Sequence, residues 1–187
     1  MYKRQEEFRE LVETEQWDKL FRVVTIKKGQ YTYGPQGTLH GSPYAPTEEE
    51  KDMVELGFET NSDITYRLYD WGRNMPDRPL HVEKVIETVN IPDDQNMGVD
   101  IVEKDIDGCK VAYFIDKPGI FTAFRIRVDE NGTFERKEFM FLFCIDGEAE
   151  INGTVIKKGE TIFIPCNYGT LTIKGKAEFG GMTYRNL

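Results

Sequence analysis

Apolar residues along the first 21 positions, in MYKRQEEFRELVETEQWDKLF, fall at Phe8, Leu11 and Val12 and then at Trp17, Leu20 and Phe21, with charges between them. That spacing returns each group to one side of a 3.6-residue turn and predicts two short helices. From Val23 the pattern changes to β-branched and aromatic residues punctuated by KKGQ and YGPQG, which predicts short strands and tight turns. GSPYAPTEEEKDM, residues 41–53, has two prolines and an acidic run and predicts a surface loop. ELGFETNSDITYRLYDW alternates as a strand pair would, and RNMPDRPLHVEKVIETVNIPDD places three prolines around a short amphipathic helix. From about Asp105 to the end, strand-like runs are separated by the turn signals DKPG, ENGT, IDGE, NGT and KKGE. The expected fold is mainly β, a barrel or sandwich preceded by short helices.

A length of 187 residues supports one substantial core, or one domain and part of another. With 33 acidic against 24 basic residues the formal charge is −9, so a nucleic-acid backbone would be repelled. Nothing reaches the roughly 20 apolar residues of a membrane span, and the N-terminus is charged helix rather than a signal segment. The expectation is a cytoplasmic protein with no membrane or nucleic-acid partner. Cys109, Cys144 and Cys166 are odd in number, widely spaced and without a C-x-x-C pair, which favours free thiols over metal or redox chemistry.

The chain repeats itself. Ile26-Lys27-Lys28-Gly29 recurs as Ile156-Lys157-Lys158-Gly159 and Pro35 recurs as Pro165, both at an offset of 130 (156 − 26 and 165 − 35). Duplication explains the shared offset; convergence on one way of turning a small barrel explains it too. The first copy ends in His40, whereas the second, GETIFIPCNYGTLTI, has no histidine.

The spacing G-x5-P-x-G-x2-H from Gly29 to His40 resembles the second motif of the cupin barrel, whose last residue is a metal ligand. NSDITYRLYDWGR followed by PLHVEK is more specific, and resembles the class I mannose-6-phosphate isomerase (phosphomannose isomerase) family. The resemblance implies a cupin-like fold, a double-stranded β-helix or jelly roll. It divides the chain into a partial first barrel with N-terminal helices over 1–75, a connecting segment over 76–104 and a complete second barrel without metal ligands over 105–187. It also implies interconversion of mannose 6-phosphate and fructose 6-phosphate through an enediolate, with Zn²⁺ as Lewis acid and a hexose 6-phosphate as ligand. By match to the motifs His40 is a zinc ligand and Arg67 the catalytic arginine that supports the charged intermediate; no substrate-binding residue is assigned.

The same resemblance places the family's Gln-x-His and Glu ligands ahead of Met1, so the chain is expected to be a C-terminal portion with an incomplete site. It is then inactive alone, and either homodimerises or meets a complementing N-terminal polypeptide. Two features depart from the pattern: 26 residues separate His40 from Arg67, and Gly57 stands where the family places a glutamate. Read from the residues alone, His40 is a hydrogen-bonded histidine, Arg67 a strand residue paired with Asp63 or Asp70, and His81 a polar residue beside a helix. The alternative function is therefore a non-catalytic cupin-like protein that binds a sugar phosphate or another chain.

Overall fold

The computed structural model describes all residues except 1, 42–54, 61, 63, 74, 94–98, 118 and 185–187. The expected loop at 41–53 therefore lies almost wholly outside the described residues. The chain forms two units, one of residues 1–54 and 62–100, the other of 55–61 and 101–187.

The first unit contains the helices α1 (Tyr2–Glu13), α2 (Trp17–Leu20) and α3 (Val82–Thr88), and a two-stranded antiparallel ribbon of β1 (Gln30–Tyr31) and β2 (Val99–Asp100). Phe8 and Val12, one helical turn apart on α1, are buried with Val85 and Ile86 of α3 and with Leu68. Trp17, Leu20, Leu39, Val82, Val89 and Ile91 pack around them, giving this unit its core. Both N-terminal helices and the helix between the prolines form where the periodicity puts them.

The strand pair expected over 55–71 does not form among the described residues. Alternation alone cannot hold a strand that lacks a ladder partner. The backbone of Arg67 instead exchanges bonds with His81: the His81 N–H donates to the Arg67 carbonyl at 2.7 Å, and the Arg67 N–H donates to His81 Nδ1 at 3.2 Å.

The second unit is an antiparallel assembly of β3 (Lys104–Ile106), β4 (Cys109–Lys117), β5 (Phe121–Val128), β6 (Asn131–Phe134), β7 (Met140–Ile151), β8 (Thr154–Lys157), β9 (Thr161–Ile164) and β10 (Leu171–Thr183). The strand path runs β3-β4-β5-β10-β7-β8, with β6 on β10 and β9 on β7. It is not closed. Its two long strands change partners partway: β10 pairs β6 through Leu171–Lys174 and β5 through Ala177–Thr183, while β7 pairs β9 through Met140–Phe143 and β8 through Glu148–Ile151. This exchange folds the assembly around one apolar interior, in which Phe124, Ile126, Leu142, Leu171, Ile173 and Phe179 are fully buried.

The IDGE signal is not a turn between strands but a bend inside β7. Gly147 has φ +78°, and a Cβ there would lie 2.1 Å from the Lys176 carbonyl oxygen, so only glycine permits the close approach of β10. Cys109 and Cys144 are buried free thiols in this interior; Cys166 is exposed. Burial, with Asp105 and Asp107 nearby, pushes the Cys109 thiol up to about 11.

Candidate functional site

The repeated segments fold alike. In the first copy the Gln30 N–H donates to the Lys27 carbonyl at 3.0 Å, Gly29 takes φ +86°, and the Lys27 N–H donates to Gln30 Oε1 at 3.0 Å. In the second, the Glu160 N–H donates to the Lys157 carbonyl at 2.9 Å, Gly159 takes φ +87°, and the Lys157 N–H donates to Glu160 Oε2 at 2.8 Å. Each is a turn with glycine at its left-handed corner and a side-chain brace back to its first residue. The correspondence continues to the proline turns, where Gly37 at φ +84° and Asn167 at φ +55° hold matching places.

The same offset carries His40 onto Thr170. His40 is exposed, lies over Gly34, and its Nδ1 is 3.0 Å from the Thr38 carbonyl oxygen, a bond in which the ring N–H donates. Thr170 donates to Glu135 and lines a cleft of about 320 Å³ with Asp107, Tyr113, Thr133 and Glu135. The second copy thus places a hydroxyl where the first places an imidazole.

Arg67 sits in a different setting. Its side chain is 21 % exposed; Nη1 donates to the Pro79 carbonyl at 3.4 Å, and Nε lies 3.8 Å from Asp70 Oδ1. Asp70 is buried and receives two further arginines, Arg73 through Nη2 at 2.5 Å and Arg78 through Nη2 at 3.1 Å and Nε at 3.2 Å. Hydrogen bonding from Arg78 first, and from Arg73, holds the Asp70 carboxyl below the usual carboxylate range, and Asp70 in turn raises Arg78. The motif resemblance singled out Arg67, and the residues alone offered Asp63, which lies outside the described residues, or Asp70 as its partner; neither gave a sign that Arg73 and Arg78 converge on Asp70. His81, flanking α3, engages the Arg67 backbone and lies tilted against Tyr66, ring centroids 5.9 Å apart.

Zinc binding needs several donors at one point, three in catalytic centres and four in structural ones. Among the described residues no group of three or more His, Cys, Asp or Glu side chains could hold a metal. His40 alone does not fit a zinc centre.

Residues 113–180 match the family model described as mannose-6-phosphate isomerase, cupin domain. The chain is 28 % identical over 182 residues to the probable mannose-6-phosphate isomerase GmuF of Bacillus subtilis (strain 168), covering 93 % of this chain and 55 % of that protein. It is 29 % identical over 181 residues to mannose-6-phosphate isomerase ManA of the same organism, covering 92 % and 55 %. The crystal structure of the mannose 6-phosphate isomerase from Bacillus subtilis superposes with a TM-score of 0.55 at 23 % identity, over 65 % of this chain and 41 % of that one. Fold and matches together define a cupin-like fold. Within that fold, the chain is similar to mannose-6-phosphate isomerases along more than nine-tenths of its length, and residues 113–180 match their cupin domain. It spans about half the length of the curated relatives it matches. Among the described residues no helix is long and apolar enough to cross a membrane.

Proposed function

We propose that this chain is part of a cytoplasmic aldose-ketose isomerase that interconverts mannose 6-phosphate and fructose 6-phosphate. The observation that carries the reading is similarity to mannose-6-phosphate isomerases along more than nine-tenths of the chain. In this enzyme Arg67 supports the oxyanion that develops as a proton leaves the carbon beside the carbonyl. A guanidinium suits that task because it stays charged at every working pH and offers several donors. His40 supplies one imidazole to a zinc centre whose other donors lie outside the described residues. The active unit adds the remaining length of the relatives, in the same or a complementing polypeptide, or through a two-fold dimer of this chain. A second reading, a cupin-like protein that binds a sugar phosphate without turning it over, draws on the lack of any metal-holding group among the described residues.

Metal analysis and a coupled isomerase assay on the purified chain test both readings, with sedimentation reporting its association. We expect well under one equivalent of zinc, little activity, and gain of both when a polypeptide covering the upstream half of a relative is added. Stoichiometric zinc that is lost in His40→Ala would overturn the incomplete site. If the added polypeptide restores nothing, the non-catalytic reading stands. In either reading, Arg67→Ala weakens mannose 6-phosphate binding in calorimetry by about 1 to 3 kcal/mol, the scale of a charge-assisted hydrogen bond. Unchanged affinity would remove Arg67 from the site.

A further inference from the structure

Where β3, β4, β6 and the approach to β10 meet, the second unit carries the cleft of about 320 Å³ that Thr170 lines. That volume lies at the small end of the roughly 300–1,000 Å³ of ligand pockets. Its place is marked twice, by the opening itself and by the repeat, whose offset of 130 puts Thr170 in the position of His40 (170 − 40). The walls are fixed by backbone. Asp107 and Gly108, at φ +50° and +81°, make the two-residue turn between β3 and β4, and the Thr133 N–H donates to the Asp107 carbonyl at 2.9 Å. A Cβ on Gly108 would stand 2.5 Å from the Asn131 carbonyl oxygen, so the turn lies directly against β6. The Tyr113 ring is held as well. Its centroid is 5.9 Å from that of buried Phe124, the Arg136 guanidinium lies 5.7 Å over it, and Arg136 Nη1 donates to Tyr113 Oη at 3.4 Å. A cleft shaped before its ligand arrives loses little entropy on binding.

The lining selects its occupant. Asp107 and Glu135 bring two carboxylates, and Tyr113, Thr133 and Thr170 bring three hydroxyls. Glu135 accepts from the Thr170 hydroxyl, while among the described residues the side chains of Asp107 and Thr133 enter no hydrogen bond or ion pair. An anion would meet two like charges and be repelled. A metal ion would find too few donors, since among the described residues no group of three or more His, Cys, Asp or Glu side chains could hold one. An ammonium would suit the carboxylates, but it only donates, and a guanidinium of the same charge already lies over the Tyr113 ring. A ring bearing several hydroxyls matches the whole set. Each hydroxyl donates to a carboxylate or accepts from Tyr113 or Thr133, and the ring's C–H surface lies on Tyr113, which is 43 % exposed.

We propose that this cleft is a second binding site, for an uncharged polyhydroxylated ring such as a free hexose or a glycoside. It uses neither a metal nor a phosphate group, and its residues all lie in the second unit. The proposal therefore stands apart from the isomerase reading and survives or fails without it.

The test follows the backbone amides and the Tyr113 ring of the full chain by NMR. Methyl α-glucopyranoside, methyl α-mannopyranoside, mannose 6-phosphate and 1,4-diaminobutane are added separately. Saturable shifts at Asp107, Tyr113, Thr133, Glu135 and Thr170 are expected with at least one glycoside, and mannose 6-phosphate should bind there about tenfold more weakly, because its charge meets the two carboxylates. No saturable response of these residues to either glycoside would overturn the site. Tighter binding of diaminobutane than of both glycosides would overturn the uncharged occupant, and equal affinity for glycoside and sugar phosphate would remove the carboxylates from the contact. Thr133→Val is close in shape and at ease in a strand, and should weaken glycoside binding about fivefold, the scale of one neutral hydrogen bond. Unchanged affinity in it would take the cleft out of binding. Should Thr133→Val fail to fold, Tyr113→Phe decides in the same way: it keeps the ring under Arg136 and removes only the hydroxyl.

Discussion

Three guanidiniums lean on the carboxylate of Asp70, and the direction of its titration follows from them. Its folded value is depressed below the roughly 3.9 of an unfolded aspartate, Arg78 contributing most. A depressed carboxylate stabilises the fold above the unfolded value and loses that contribution as pH falls through the folded one. The melting-temperature gap between wild type and Asp70→Asn should therefore hold steady from about pH 8 to about pH 5 and close below about pH 4. A gap that closes near neutrality instead would assign the stabilisation to another group. Arg67 could be picked out from the sequence, since a motif fixes it. Arg73 and Arg78 could not, because they reach Asp70 through irregular backbone three and eight residues further on, where no period states which side chains meet.

Regular elements were easier to read than their partners. α1, α2 and α3 follow from apolar spacing because a helix satisfies its own backbone; every strand from β3 onward had the alternation or turn chemistry that marks it. The residues around 55–71 alternate just as well, and the described ones among them form no strand, since pairing is decided by what lies alongside. IDGE reads as a turn in sequence because glycine allows a left-handed φ in either setting, and only the crossing of β10 shows it to be a bend. Glycine acts differently at Gly181 of β10, where a Cβ would lie 2.2 Å from the ring of Phe124, itself fully buried. Gly181→Ala should cost about 1 to 3 kcal/mol in urea unfolding, the usual penalty for overfilling a packed core. A loss under a few tenths would mean that Phe124 has room to shift.

At the scale of the molecule, the mainly β, cupin-like architecture was legible, and so was the similarity to mannose-6-phosphate isomerases, through two short motifs. A set of metal donors was not, because one imidazole, His40, names no partners, and among the described residues no group of three or more His, Cys, Asp or Glu side chains could hold an ion. The duplicated turns at Lys27–Gln30 and Lys157–Glu160 have a different use, since they make the chain its own control experiment. One brace is an amide, and its neighbours Lys27 and Lys28 have no ion pair among the described residues; the other is a carboxylate, flanked by Lys157 paired to Glu148 at 3.6 Å and Lys158 paired to Asp146 at 3.2 Å. Added salt shortens the reach of exposed charges to about 3 Å at 1 M, which loosens only the second turn, and by no more than the ~1 kcal/mol such pairs supply. Amide exchange at Lys157 should quicken with ionic strength, by up to about fivefold, while Lys27 in the same tube keeps its pace; equal acceleration of both would mean that glycine geometry, and not charge, sets the life of either turn.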